Sequence, residues 1–450
     1  MGDALRLERD VAVRPTLAAA SARDAVGSAP LNLRIEADYA LARVLPAATQ
    51  PDFYASRWME ALPTRSTNAS GARTLQLLLS TSLTHDSNVF RLPGNISPQL
   101  ALGLPSRSDT ITVAAVGLRI DKDYAQQRFE LDVTETAYRY AQFSFLNFNA
   151  LEYRGVWHWH VTPRWTGTVS SEHQTSLASS ADTTQIAQRA QRNLRTSDQQ
   201  RFTLDGSLWG GWHALLGVFQ AQQKYDQGLL PQNSSRTQGV EAGAKYVSPS
   251  GSALSLVQRA GRGEYLNRVA DAATVSDNAF RQNDTELKLD WNLSAKSVLR
   301  NRLTWINVHH EHFAVRNYSG LAGEMAYGWL PTGKLRLEIA ARRDLSTWWQ
   351  SYSSYKIDNT LSVAPVWQVA ANTTVRLRLD RTHSEFLEPV AAVVGALRRD
   401  AAHSVLLGVA WSPLRSLMID ASLQHQQRSS NYAGIDFDTS MASINAKLKF

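Results

Sequence analysis

From Leu75 to Phe450 the chain repeats one pattern: segments of roughly 10–14 residues in which apolar and polar side chains alternate, broken by turn residues. The last segment shows it most cleanly. Ser440, Ala442, Ile444, Ala446, Leu448 and Phe450 fall on one face, and Thr439, Ser443, Asn445, Lys447 and Lys449 on the other. Side chains on a strand point to opposite faces in turn, so each segment has an apolar side and a wet side. Strands of soluble sandwiches alternate too, but usually run about 5–6 residues. These are about twice that, the length that crosses a bilayer at a tilt. Eighteen such segments are counted, from 74–86 to 437–450, with the sixth placed at 200–209. An even number is what a single-chain bacterial barrel requires. The fold class is therefore all-β: a transmembrane antiparallel up-and-down β-barrel of about 18 strands over 73–450. Residues 1–72, rich in Ala, Pro, Ser and Thr, are expected to be an irregular periplasmic segment.

The connections support this. Tight turns such as Thr162-Pro163-Arg164, Pro331-Thr332-Gly333 and Ser412-Pro413-Leu414-Arg415 alternate with long polar loops at 176–199, 263–280 and 384–401. Short periplasmic turns and long extracellular loops are the expected asymmetry of an outer-membrane barrel. Trp159, Trp165, Trp212, Trp291, Trp329, Trp367 and Trp411 all lie near a short turn, as a girdle at one membrane interface would. Phe450, ending the last strand, is expected to act as a signal to the barrel-assembly machinery.

Other classes drop out. No run approaches the ~18 apolar residues of a membrane helix. The chain has no cysteine, which removes disulfides and thiolate metal sites. A formal charge of +7 fits an anionic ligand or membrane surface, and no nucleic-acid-binding motif accompanies it. Met1-Gly2-Asp3-Ala4-Leu5-Arg6 is not followed by an apolar signal segment, so the export signal that an outer-membrane protein of a Gram-negative bacterium needs is expected to be missing from this sequence.

The segment Leu83-Thr84-His85-Asp86-Ser87-Asn88-Val89-Phe90-Arg91-Leu92-Pro93 resembles the opening barrel motif of EpsL-type outer-membrane proteins of exopolysaccharide biosynthesis, with Asp86, Asn88, Phe90 and Arg91 at the motif positions. Tyr153-Arg154-Gly155-Val156-Trp157-His158-Trp159, Leu289-Asp290-Trp291 and Tyr327-Gly328-Trp329 extend the likeness over about 75–450. His85 stands where that family usually has an aromatic residue, and the first 72 residues have no counterpart. The resemblance implies a barrel serving an exopolysaccharide chain, with periplasmic polysaccharide-export partners and outer-membrane lipid around it.

The facing rule lists the lumen side chains. Arg300, Arg302, Arg336, Arg342, Arg376 and Arg378 point inward, joined by Lys288, Lys245, Arg201 and Arg128. Acidic groups share that face: Asp132, Asp205, Glu241, Asp284, Glu286, Glu338, Asp358, Asp380 and Asp420. Two readings stand: a ladder of ion pairs stiffening the wall, or a basic stripe guiding an anionic polymer. Tyr138 and Tyr140 read as lipid-facing, after a bulge near Glu135-Thr136. His158 with His160, and His309-His310-Glu311-His312, read as polar residues rather than metal ligands. No catalytic residue, cofactor or metal is assigned. The expected function is an exopolysaccharide export channel. The alternatives are a general or anion-selective diffusion porin and a barrel enzyme acting on glycan. A long loop folded into the lumen, with 176–199 as the candidate, would mark the porin.

Overall fold

Period-two alternation is realised as eighteen antiparallel strands. The computed structural model describes residues 75–178, 181, 186–226, 233–350, 353–387 and 396–450; the segment 1–72 lies outside the described residues. The strands are β1 (Leu75–Asp86), β2 (Asp109–Tyr124), β3 (Gln127–Tyr140), β4 (Phe148–Thr162), β5 (Trp165–Leu177), β6 (Leu194–Ser207), β7 (Trp212–Tyr225), β8 (Ser235–Val247) and β9 (Ala253–Tyr265). They continue as β10 (Ala279–Ser294), β11 (Ser297–His310), β12 (Tyr318–Trp329), β13 (Leu335–Gln350), β14 (Ser353–Ala370), β15 (Thr373–Leu387), β16 (Arg399–Leu414), β17 (Leu417–Ser430) and β18 (Phe437–Lys449). The sixth segment starts at Leu194 rather than 200. Its opening residues, Leu194-Arg195-Thr196-Ser197-Asp198-Gln199, lack the apolar alternate positions that mark a strand in sequence.

Each strand pairs with its sequence neighbours, and β1 closes the sheet against β18 from Leu78↔Lys449 to Asp86↔Met441. Closure leaves no edge strand and satisfies the backbone within the sheet, as hydrocarbon surroundings demand. Phe450 extends that seam, its backbone exchanging hydrogen bonds with Leu77 at 3.0 and 3.3 Å.

The outer face is apolar on every side. Leu83, Val116, Leu216, Val240, Leu256, Leu361, Leu407, Leu423 and Ile444 stand exposed there, while their neighbours Thr84, Ser422 and Ser443 line the interior. A continuous apolar surface of this kind needs a nonpolar surrounding. One end of the barrel carries short turns such as 125–126, 163–164, 371–372 and 415–416; the other carries the longer connections 87–108, 178–193, 266–278 and 388–398.

Trp165, Trp212, Trp291, Trp329, Trp367 and Trp411 sit at the short-turn end, each 42–51% exposed. Trp159 departs from the expected girdle, being only 8% exposed. Its indole lies flat over Gly167, where a Cβ would come within 2.5 Å of the ring, and stacks on Phe202 at 5.8 Å. The missing side chain at 167 makes a seat that its neighbours then cover.

The β13–β14 hairpin parts from β12 while β14 stays paired with β15 as far as Tyr355↔Leu387. Pairing of β12 with β13 stops at Gly323↔Arg343, although β12 runs on to Tyr318. Beyond that point both faces of the hairpin are buried: Leu345, Ser346, Ser354, Lys356, Ile357 and Asp358. Leu345 and Ile357 pack with Tyr265, Phe280, Ile306, Val308 and Tyr318, on the face of β9–β12 that alternation turns inward. This part of the hairpin, at Leu345 and 354–358, is therefore turned inside the barrel, its apolar side against the inner wall and Lys356 toward the remaining cavity.

Candidate functional site

Most of the inner wall is a lattice of paired charges. Arg201 donates to Glu241 at 2.6 Å, Arg259 bridges Glu241 and Glu286 at 2.9 and 3.0 Å, and Arg302 reaches Glu286 at 3.8 Å. This chain crosses β6, β8, β9, β10 and β11. Gly217 makes room for it, since a Cβ there would lie 2.6 Å from the Glu241 carboxylate. Lys245 and His213 both contact Asp205. Arg154 joins Glu172 and Glu130 at 3.0 and 3.3 Å, and Arg119 contacts Asp132.

The side chains expected to form a basic stripe are placed in the same lattice. Arg342 pairs with Asp344 at 2.6 Å, Arg378 with Asp380 at 2.8 Å, Lys288 with Asp290 at 3.4 Å and Arg336 with Glu338 at 3.5 Å. Arg128 binds Asp121 at 2.7 Å and Glu130 at 3.2 Å. Arg300 stands opposite Asp290 in the register but makes no ion pair among the described residues, Asp290 pairing with Lys288 instead. A positive charge with a carboxylate at hydrogen-bond distance presents little net field to a passing anion. Arg376 also stands outside the lattice: its Nε and Nη1 are buried without a hydrogen-bond partner among the described residues.

At the long-loop end, the motif residues build a plug. Asp86 closes β1 and holds Arg91 at 2.7 Å, and it also accepts hydrogen bonds from Asn88 N and Thr439 Oγ1, both at 2.8 Å. Asn88 donates to the carbonyls of Leu92 and Asp438. Arg91 takes the left-handed conformation (φ 51°) between these anchors. Phe90 and Leu92 thereby enter a core with Tyr140, Phe143, Leu146 and Phe148. A single-turn helix, α1 (Pro98–Leu102), is capped by Ser97 in the same connection.

Arg189 and Ala181, in the 178–193 connection, dock onto this plug. Arg189, 1% exposed, donates to the carbonyls of Arg91 and Gly434, both at 2.7 Å. Ala181, also buried, accepts from Arg428 of β17. One guanidinium thus ties three connections together across the barrel mouth.

Between the plug, the inserted hairpin and the wall lies a cavity of about 670 Å³. Its lining includes Tyr138 and Tyr140, which corrects the lipid-facing expectation. No bulge occurs at Glu135-Thr136, because the β2–β3 register runs unbroken from Ile111↔Tyr140 to Tyr124↔Gln127. Large aromatics sit inside because they have partners there, Tyr138 stacking on Phe148 at 4.4 Å.

His158 contacts Glu130 at 3.1 Å. His312 pins two loops: Asp277 accepts from the His312 and Phe313 amides and the His312 ring at 2.7, 2.9 and 3.0 Å. Burial pushes the Asp277 carboxyl up, but these hydrogen bonds outweigh it and hold the group down to about 2. The same contact raises His312. Among the described residues, no three His, Asp or Glu side chains gather as a metal site.

Sequence reasoning missed Arg189, Gly217, Gly408 and the inserted hairpin. Only the arginine left a trace, lying in the loop singled out as a constriction candidate.

No family model and no curated relative matches the sequence. Among solved structures the chain is similar to Pseudomonas aeruginosa OccK1 (OpdK), at 10% identity and a TM-score of 0.47, covering 84% of this chain and 99% of that one. It is also similar to Pseudomonas aeruginosa OccK9 (OpdG), at 12%, 0.46, 84% and 98%, and to Acinetobacter baumannii OccAB3, at 9%, 0.45, 84% and 99%. Nothing about substrate passes to this chain from a likeness so distant.

Proposed function

We propose that this porin-like barrel is a constricted diffusion channel of an outer membrane, passing small polar or charged solutes. The apolar exterior, with exposed tryptophans along the short-turn end, suits insertion among outer-membrane lipid. The polar lumen supplies a water-compatible path. Phe450, at the closing seam, fits a role in recognition by the assembly machinery.

One observation carries the reading. Arg189 and Ala181, in the 178–193 connection, are buried against the plug, while Leu345 and Ile357 of the β13–β14 hairpin pack on the opposite inner wall. The cavity between them, about 670 Å³, has the volume of a small-ligand site. A conduit for a polysaccharide needs a continuous bore, and in the described residues the bore's long-loop end is occupied. Exopolysaccharide export with periplasmic partners, as the motif resemblance implies, is therefore the rival outcome rather than the conclusion.

Conductance of the full chain in planar bilayers tests this. Each hydrogen bond from a charged donor contributes about 1.5–3 kcal/mol, so Arg189→Ala is expected to loosen the plug and raise mean conductance severalfold. A wild-type conductance matching an unobstructed barrel, unchanged by Arg189→Ala, would overturn the constriction. A deletion strain with normal solute uptake but polymer trapped inside the cell would favour export instead.

A further inference from the structure

The arginines lining the cavity, together with Lys356, fall into two groups. Arg91, Arg119, Arg154, Lys356 and Arg428 are each bound to a carboxylate or to backbone carbonyls. Arg376 is not. Its side chain lies along Gly408 of β16, where a Cβ would come within 2.6 Å of Nε, so the glycine lets the guanidinium reach toward β17. There stands Asp420, the carboxylate that acts electrostatically on Arg376 without a hydrogen bond to it. Asp420 Oδ2 has no hydrogen-bond partner among the described residues, and neither has Asn445 Oδ1, directly across the β17–β18 pair. All three residues line the cavity.

Two donors of one charged group and acceptors of an oppositely charged group thus lie on the same wall, attracting each other yet unbonded. Buried polar atoms are normally hydrogen-bonded, so this arrangement lies above its best state in free energy. A rotation that lifts Arg376 off Gly408 carries its donors into the cavity.

We propose that Arg376 and Asp420, with Asn445, form a two-point site for a small zwitterion, gripping its carboxylate with the Arg376 fork and its ammonium with Asp420 and Asn445. Arg376 suits a carboxylate because two of its N–H groups match the two oxygens. Lys447 also acts on Asp420, so a zwitterion with a second carboxylate has another cation within electrostatic reach of the site. The inference rests on the channel reading for its biological sense, but the binding it describes is measurable without transport.

The test is calorimetric titration of the detergent-folded full chain with four probes of similar size: glutamate, glutarate, butylamine and erythritol. Glutamate is expected to bind about tenfold more tightly than glutarate, a ratio that one charge-assisted contact supports, and the other two not measurably. Arg376→Gln should weaken glutamate and glutarate alike. Asp420→Asn should erase the preference for glutamate over glutarate while leaving glutarate bound. Folding of each variant is checked by heat-modifiable gel mobility, and either variant alone suffices to decide. Equal binding of glutamate and glutarate, or unchanged binding in Arg376→Gln, overturns the site. Zwitterion binding by a barrel that does not conduct would sink the channel reading and keep the site; conductance without that binding would do the reverse.

Discussion

The wall from β6 to β11 and the wall from β15 to β18 have the same backbone and the same alternation, yet opposite electrostatic designs. On the first, Arg201, Glu241, Arg259, Glu286 and Arg302 join in an unbroken series in which each charge touches one of opposite sign. On the second, Arg378 is paired with Asp380, but Arg376 and Asp420 face each other without a hydrogen bond, with Lys447 near and neutral Ser422, Gln424, Ser443 and Asn445 around them. A glycine underlies both: Gly217 seats a carboxylate that is already satisfied, and Gly408 seats a guanidinium that is not. The difference teaches that inward charge alone does not make a solute site. What counts is whether a charge has been answered by the wall.

The comparison is broken most directly by removing one charge from each side. Glu241→Ala leaves Arg201 and Arg259 short of their shared partner in a desolvated setting, and such losses cost about 3–5 kcal/mol. Urea unfolding of the barrel in detergent should show that drop with little change in solute preference. Asp420→Asn should change stability by less than about 1 kcal/mol, since no hydrogen bond is lost, while altering solute binding. If both variants cost the same, the two walls are not different in kind.

The smallest effect lies outside the membrane, at the Asp277–His312 contact between two loops. Asp277 is lowered on folding, so its contribution is present above the ordinary carboxylate value near 4 and is lost as pH falls toward about 2. His312 is raised, so its contribution is full below about 6.5 and is lost as pH rises through the folded value. The loops should dock best between about pH 4 and 6.5. Hydrogen exchange of the 311–317 amides, corrected for intrinsic rates, should quicken about two- to fivefold at pH 8.5 relative to pH 5.5. His312→Gln should flatten that dependence. A flat profile in the unsubstituted chain would remove this contact from the account.

Much of the lumen's pairing could be read from spacing alone. Arg336 with Glu338, Arg342 with Asp344, Arg378 with Asp380 and Lys288 with Asp290 are each two residues apart, which puts both on one face of a strand. The pairings across strands needed the register. Arg376 and Asp420 stand 44 positions apart, the difference of their numbers, on strands separated by β16. Tyr138 and Tyr140 misled because large aromatics are assumed to face lipid when no inner partner is visible. Their partner Phe148 lies beyond an intervening connection.

By itself the sequence determined that this chain closes into a barrel, where its strands run and which side of each is wet, because alternation is a local property imposed by the pleat and by two contrasting solvents. Whether the bore is open was decided only by the tertiary structure. The end of β13–β14 alternates alike whether it stands in the wall or folds inside, and Arg189 reads as any loop arginine until the carbonyls of Arg91 and Gly434 close around it. Those contacts join residues far apart in the chain, and only the completed sheet brings them within reach.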